Sequence, residues 1–310
     1  MSVAIITHEA CLEHDAGPHH PERPERLVAV MEALDQPEFA GLDRLRAPLA
    51  TVEQLSLAHP RDYVEAILAI RPAEHEIARL DGDTSMSAGS AEAAQRAAGG
   101  AVAGVDMVME GRADRVFVAV RPPGHHAEPQ RPMGFCLFNN VAVAAHHARA
   151  QWGRRRVAVV DFDVHHGNGT QAMFFNDPDL FYASSHQSPC YPGTGDAREH
   201  GVAGNIVNAP LAPRSDGAAF RAAWRDVILP ALDRFAPELL IISAGFDAHR
   251  DDPLAQLRVE TEDFAWLTGE LALLANRHCG GRVVSVLEGG YDLDALAESA
   301  TAHVRALMAA

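Results

Sequence analysis

The stretch Asp161-Phe-Asp-Val-His-His-Gly-Asn-Gly-Thr170 constrains this chain most. The apolar run before it, Val157–Val160, reads as a short buried strand. Asp161, Asp163 and His165 then recur with period two, so an extended backbone aims all three to one side. Two carboxylates and an imidazole converging at a strand end suit a metal ion. Gly167 and Gly169 let the backbone turn sharply behind them. A solvated polar turn is the plain alternative for one Asp and one His after a strand. The tandem His-His beside Asp-x-Asp, with matching pieces elsewhere, argues against it.

Composition bounds the rest. At 310 residues the chain has ample length for a buried core, and without linker, repeat or low-complexity tail it reads as one domain over 1–310. No apolar stretch approaches the roughly 20 residues a membrane helix needs. Residues 1–30 lack a basic-then-apolar signal pattern, so the expectation is a cytoplasmic protein with no membrane partner. The four cysteines, Cys11, Cys136, Cys190 and Cys279, are widely spaced, which argues against a disulfide framework or a cysteine zinc site. A net charge of −16 argues against nucleic acid as a partner and suits a cationic substrate. All 26 basic residues are Arg, which with the abundant Ala reflects a GC-rich, bacterial genome.

Strand-like runs alternate with amphipathic helices, which indicates an α/β fold with a mostly parallel sheet. Strands are expected at Val3–Thr7, Leu42–Pro48, Val116–Val120, Val157–Val160, Leu180–Ser184, Asn205–Asn208, Leu239–Ser243 and Val283–Leu287. The clearest helices are a long Ala-rich one over Ser90–Met109, one over Phe220–Phe235 with Pro230 as a kink or break, and a closing one over Leu293–Met308. Thr51-Val-Glu-Gln54 reads as a helix cap and Asp81-Gly-Asp-Thr-Ser85 as a turn. The informative fact is positional. His125-His126, Asp161 to His165, Asp247 and Tyr291 each lie just past the carboxyl end of an expected strand, the edge where open α/β sheets bind ligands.

As chemistry, Asp163, His165 and Asp247 make an oxygen-rich, three-ligand metal site with a position left for water or substrate. Two carboxylates neutralise the dication, so a nearby base matters more, and His126 and His125 are the candidates. Asp161 and Asn168 are the obvious partners to orient them. Tyr291, after two glycines, offers a hydroxyl to an oxyanion. Taken singly, His125 reads as an ordinary loop histidine, Asp247 as a helix cap and Tyr291 as a packed aromatic. Cys136 reads as an inert small residue.

Together these pieces resemble the histone deacetylase superfamily of arginase-like fold, in its class II branch with the bacterial deacetylase-like and acetylpolyamine amidohydrolases. The matching stretches are His20-Pro-Glu-Arg-Pro-Glu-Arg26, Arg121-Pro-Pro-Gly-His-His126, Gly134-Phe-Cys-Leu-Phe-Asn-Asn140, Asp161 to Gly169, Tyr191-Pro-Gly-Thr-Gly195, Ser243-Ala-Gly-Phe-Asp247, Asp252-Pro-Leu254 and Glu288-Gly-Gly-Tyr291. The resemblance implies eight mostly parallel strands with helices on both faces. It implies a zinc held by Asp163, His165 and Asp247 at the bottom of a narrow tunnel. By the same resemblance, His126 is general base and then acid, His125 held by Asp161 is its charged partner, Asn168 orients His126, and Tyr291 donates to the oxyanion. Phe135, beside Gly134, and Tyr191 match tunnel walls, Asp83 a rim carboxylate, and Arg26 an arginine near an acetate-release channel. A potassium ion on carbonyls of Asp161, Asp163, His165 and Ser185 and on Ser184 is also implied.

The implied reaction is hydrolysis of a linear amide. Leu254 stands where polyamine-preferring relatives carry an acidic gatekeeper, which favours acyl-lysine in a protein or a small neutral amide, while the −16 charge pulls towards an acetylpolyamine. Iron or cobalt suits the same ligands as zinc. A dimanganese ureohydrolase needs further Asp and His ligands that the chain lacks, and a silent acyl-amine binding module would have lost a ligand or Tyr291. Oligomeric state, a homo-oligomer included, is left open.

Overall fold

A computed structural model describes residues 2–309. Its strands are β1 (Val3–Thr7), β2 (Asp43–Arg46), β3 (Ala78–Arg79), β4 (Ser85–Met86), β5 (Arg115–Val118), β6 (Val157–Asp161), β7 (Leu180–Gln187), β8 (Ile206–Leu211), β9 (Leu239–Ala244) and β10 (Val283–Leu287). Its α-helices are α1 (Glu25–Leu34), α2 (Val52–Leu55), α3 (Arg61–Ala69), α4 (Ser90–Met109), α5 (Asn140–Trp152), α6 (Asn168–Phe174), α7 (Gly217–Ala223), α8 (Leu229–Phe235), α9 (Thr261–His278) and α10 (Leu293–Ala309).

Eight strands form one sheet in the order β2-β1-β5-β10-β9-β6-β7-β8, and every neighbouring pair is parallel. The central strands β5, β6, β9 and β10 are buried along their whole length, as their Val, Ile and Leu runs require of a sheet covered on both faces. Side-chain alternation shows the two layers. Val116 and Val118 face Gly104 of α4, while Phe117 between them meets His303 of α10, with ring centroids 5.6 Å apart. The edge strand β2, Asp-Arg-Leu-Arg, is mostly exposed and charged, which blunts an open edge.

Local signals resolve as follows. Thr51 and Gln54 form a reciprocal capping box at the start of α2. Gly99 and Gly100 sit inside α4 because a Cβ there would run into the Pro48 carbonyl and Val118. The expected turn at 81–85 is the tip of an antiparallel β3–β4 hairpin too short to read from sequence. The α-helix expected over 220–235 is broken just before Pro230, although helical structure continues to Phe235. A π-turn over Trp224–Ile228 precedes the proline and shifts the register, so Pro230 falls in the first turn of α8, where its missing N–H costs nothing. Among the described residues no helix is long and apolar enough to cross a membrane.

The sheet order matters for the site. The four strands whose ends carry the conspicuous polar residues are consecutive neighbours, β5-β10-β9-β6. One short stretch of sheet edge therefore gathers the whole constellation.

Candidate active site

Asp163 and His165 lie in the bend after β6, and Asp247 lies after β9. Their ligand atoms all fall within 4.8 Å of one another, and all three residues are buried. His165 Nδ1 stands 3.1 Å from Asp163 Oδ1 and 3.1 Å from Asp247 Oδ2. Backbone N–H groups hold the carboxylates in place: Gly289 donates to Asp163 Oδ2 at 2.8 Å, and Val164 donates to Asp247 Oδ1 at 2.8 Å. Gly289 must be glycine, since a Cβ there would run into both carboxylates. Burial, and then the facing charge of Asp163, push the Asp247 carboxyl up to about 7. Burial pulls the His165 imidazole down, but its bonds to Asp163 and Asp247 hold it well above the usual range. Two buried carboxylates crowded against one imidazole, with no Arg among their hydrogen-bond partners, fit a divalent cation.

Asp161 does not join them. Strand geometry ends at Asp161 and the chain bends over 163–165, so the period-two alignment does not carry through. The Asp161 carboxylate turns instead to His125 Nδ1, 3.0 Å away, and accepts from the Tyr182 hydroxyl at 3.0 Å. His126 Nδ1 meets Asn168 Oδ1 at 2.8 Å. The amide nitrogen of Asn168 donates to Glu128 Oε1 at 2.9 Å, which fixes the amide with its oxygen towards His126. His126 therefore carries its proton on Nδ1, and its Nε2 is a bare acceptor.

The two histidines, with ring centroids 4.0 Å apart, are pushed in opposite directions by their surroundings. Burial works against the charge on His125, but the carboxylates of Asp163, Asp161 and Glu288 outweigh it and push its pKa up to about 10. Burial and the charges of His125 and His165 hold His126 well below its ordinary value. Neighbouring groups pushed apart in this way are the signature of an acid and base pair.

A cavity of about 220 Å³ opens above the cluster, lined by Asp83, His126, Gly134, Phe135, His165, Tyr191, Leu254 and Tyr291. The Phe135 and Tyr291 rings meet edge to face with centroids 5.8 Å apart, and Tyr191 stands perpendicular to His126 at 5.1 Å. Gly134, at φ +57°, lies flat against the His126 ring, which leaves no room for a Cβ. Burial keeps the Tyr291 phenol well above its ordinary pKa, so its hydroxyl is a neutral donor, and it has no hydrogen-bond partner among the described residues. Asp83 spends Oδ1 on Gly134 N–H and the Thr84 hydroxyl. Tyr191 and Leu254 are part-exposed at the mouth.

Arg26 is fully buried against the back of this loop, donating to the carbonyls of Gly290 and Glu288 at 2.5 Å each and to Glu22 at 3.1 Å. Ser184 pairs in register with Asp161, and its hydroxyl meets His186. The Ser185 hydroxyl accepts from Trp224 at 2.9 Å. The sequence reading gave no role to Glu288 or Tyr182. Glu288 Oε2 accepts from the N–H groups of Gly124 at 2.6 Å and His125 at 3.2 Å, so it carries the backbone of the histidine pair. Burial pushes its carboxyl up to about 7. A Glu opening the Glu-Gly-Gly-Tyr stretch was the available signal, but its partners lie more than 160 residues away.

The histone deacetylase domain family matches residues 20–307. The histone deacetylase-like amidohydrolase of Pseudomonas aeruginosa is 40% identical over 310 residues, covering 93% of this chain and 81% of that one. The chloroplastic histone deacetylase 14 of Arabidopsis thaliana is 38% identical over 323 residues, covering 98% and 76%. Among solved structures, the crystal structure of the HDA15 HD domain superposes with a TM-score of 0.93 at 38% identity, covering 99% of this chain and 88% of that one. Sequence and fold agree: this chain belongs to the histone deacetylase family of hydrolases.

Proposed function

We propose that the chain is a zinc-dependent amidohydrolase that removes an acyl group, acetyl foremost, from acylated lysine side chains. The observation that carries this reading is the pair His126, bonded to Asn168, and His125, bonded to Asp161, beside a three-ligand donor set at the foot of an aromatic-walled cavity. Asp163, His165 and Asp247 would hold the ion, which would supply Lewis-acid polarisation of the acyl carbonyl. His126 Nε2 takes the water's proton, with Asn168 fixing the tautomer. The Tyr291 hydroxyl donates to the oxygen that becomes negative as the carbonyl carbon turns tetrahedral. His125, held charged by Asp161, balances that charge from behind. A histidine proton then goes to the leaving amine as the C–N bond breaks, giving a carboxylate and a free amine.

Phe135 and Tyr191 flank an extended methylene chain, with Gly134 giving close approach. Asp83, with Oδ2 uncommitted among the described residues, receives N–H groups at the rim. The neutral, part-exposed Leu254 supports acyl-lysine over a polyamine. We assign Arg26 to an internal route for the released carboxylate. We also assign a potassium ion to the carbonyls of Asp161, Asp163, His165 and Ser185 with Ser184, a reading supported by the Asp161–Ser184 register. The net charge of −16 favours a second reading, an acetylpolyamine amidohydrolase.

The test is a hydrolysis panel on metal-loaded enzyme with acetyl-lysine peptides, acetylpolyamines and small aryl amides, run beside Tyr291→Phe. Peptide turnover that falls about a hundredfold or more in the variant is expected. Preferential polyamine turnover would overturn the Leu254 argument. Full activity in the variant would overturn the role given to Tyr291.

A further inference from the structure

Tyr291 leaves β10 on a stretch with little restraint of its own. Residues 288–291 belong to no helix or strand, and Gly290 has φ +123°. Distant groups tether each peptide. Arg26 holds the carbonyls of Glu288 and Gly290, Asp163 holds the N–H of Gly289, and Phe246 N–H reaches the Gly289 carbonyl at 3.0 Å. The N–H of Tyr291 itself donates to Asp252 Oδ2 at 2.7 Å, across 39 residues of sequence. The other oxygen of that carboxylate, Oδ1, accepts from the N–H of Leu254 at 2.9 Å. Tyr291 and Leu254 line the same cavity from different loops.

We propose that Asp252 is a positioning residue, a single carboxylate that sets the Tyr291 hydroxyl and the Leu254 lip of the tunnel relative to each other. The inference rests on the reading of Tyr291 as oxyanion donor. Asp252 lines no part of the cavity; it accepts from the backbone N–H groups of Leu254 and Tyr291, with that of Asp292 beside them, and its charge is also felt at His165 and Asp247, which is why metal content is recorded in the test. A carboxylate suits the task because both of its oxygens accept, and charge strengthens both bonds. Asparagine has one acceptor, so Asp252→Asn sets an N–H donor against the N–H of either Tyr291 or Leu254. Asp252 is buried, so water cannot repair the loss.

The experiment measures binding of an acetyl-lysine peptide analogue with a trifluoromethyl ketone in place of the amide, whose hydrate mimics the tetrahedral adduct. Metal-loaded wild type, Asp252→Asn, Tyr291→Phe and the double variant are compared, with metal content and Tm recorded. Asp252→Asn is expected to weaken the analogue and lower kcat by about tenfold each, less than removal of a donor outright, while KM for the peptide stays within about twofold. In the Tyr291→Phe background it is expected to cost nothing further in analogue affinity. Equal costs in both backgrounds, or a loss tracked by metal content, would overturn the positioning role and leave Tyr291 untouched. Undiminished analogue binding by Tyr291→Phe alone would remove the underlying reading instead.

Discussion

Two clusters of buried charge flank the loop that carries Tyr291, and they are built on opposite principles. On one side, Glu22 sits fully buried among Arg121, Arg26 and His14, with both of its oxygens taken. Burial opposes its charge, yet Arg121, His14 and Arg26 hold its carboxyl well below the usual range. On the other side, Asp163 and Asp247 face one imidazole, and Asp247 is pushed up to about 7. The first cluster is complete within the chain, while the second leaves its own charges in conflict. Burial alone does not distinguish a structural ion network from a functional one; the presence or absence of internal neutralisation does.

The largest effect should come from the unbalanced cluster. Asp247→Asn is expected to lower hydrolysis by about a thousandfold or more through loss of metal. In metal-free protein the same change should raise Tm by a few degrees, because it relieves the facing charge of Asp163. Calorimetry with and without chelator reads both halves, and a Tm that falls in the metal-free protein would break the contrast. The balanced cluster should behave the other way. Glu22→Gln leaves Arg121 and Arg26 buried without their carboxylate and is expected to cost about 3–5 kcal/mol, with or without metal. The sign with pH follows from the lowered pKa. The stability contributed by Glu22 is present above its unfolded value of 4.5 and is lost as pH falls through the folded one, so wild type and variant should converge only in acid below that value. A gap that instead closes between neutral and alkaline pH would contradict it. The smallest effect is Tyr182→Phe, which removes one donor to Asp161 and the acceptor of the Gly167 N–H, and leaves the bonds of Asp161 to His125 and to the Asp163 N–H in place. About 1 kcal/mol of stability and a severalfold fall in kcat are expected, and an unchanged kcat would show that Asp161 holds His125 without the Tyr182 hydroxyl.

The sequence made one of these clusters visible and hid the other. Asp163, His165, Asp247 and the histidine pair could be read because each lies at a strand end, where a parallel sheet exposes polar groups. Asp161 and Asn168 could be named as partners of the histidine pair because both stand in the loop that carries the ligands, while the assignment of Asn168 to His126 in particular came with the family resemblance. Glu22 stood in plain sight beside Arg26, but its stronger partner, Arg121, is 99 residues away and reaches it only because β1 and β5 are neighbours. Glu288 and Asp252 were hidden for the same reason, since their acceptors serve backbone groups that no side-chain pattern encodes. The β3–β4 hairpin was too short to show a period, and the π-turn that absorbs Pro230 has no sequence signal separate from the proline.

The position of β10 has a consequence for biosynthesis. It lies between β5 and β9, and among the described residues it supplies the sole join between β2-β1-β5 and β9-β6-β7-β8. It is also the last of the sheet's strands in chain order. Until residues 283–287 emerge, the two half-sheets of a nascent chain share no strand edge, and β5 and β9 have no strand between them. The three metal donors already lie together after β6 and β9, so what waits for β10 is the Gly289 N–H on Asp163, the Glu288 support under His125 and the Tyr291 hydroxyl, and a chain cut short before Val283 lacks all three.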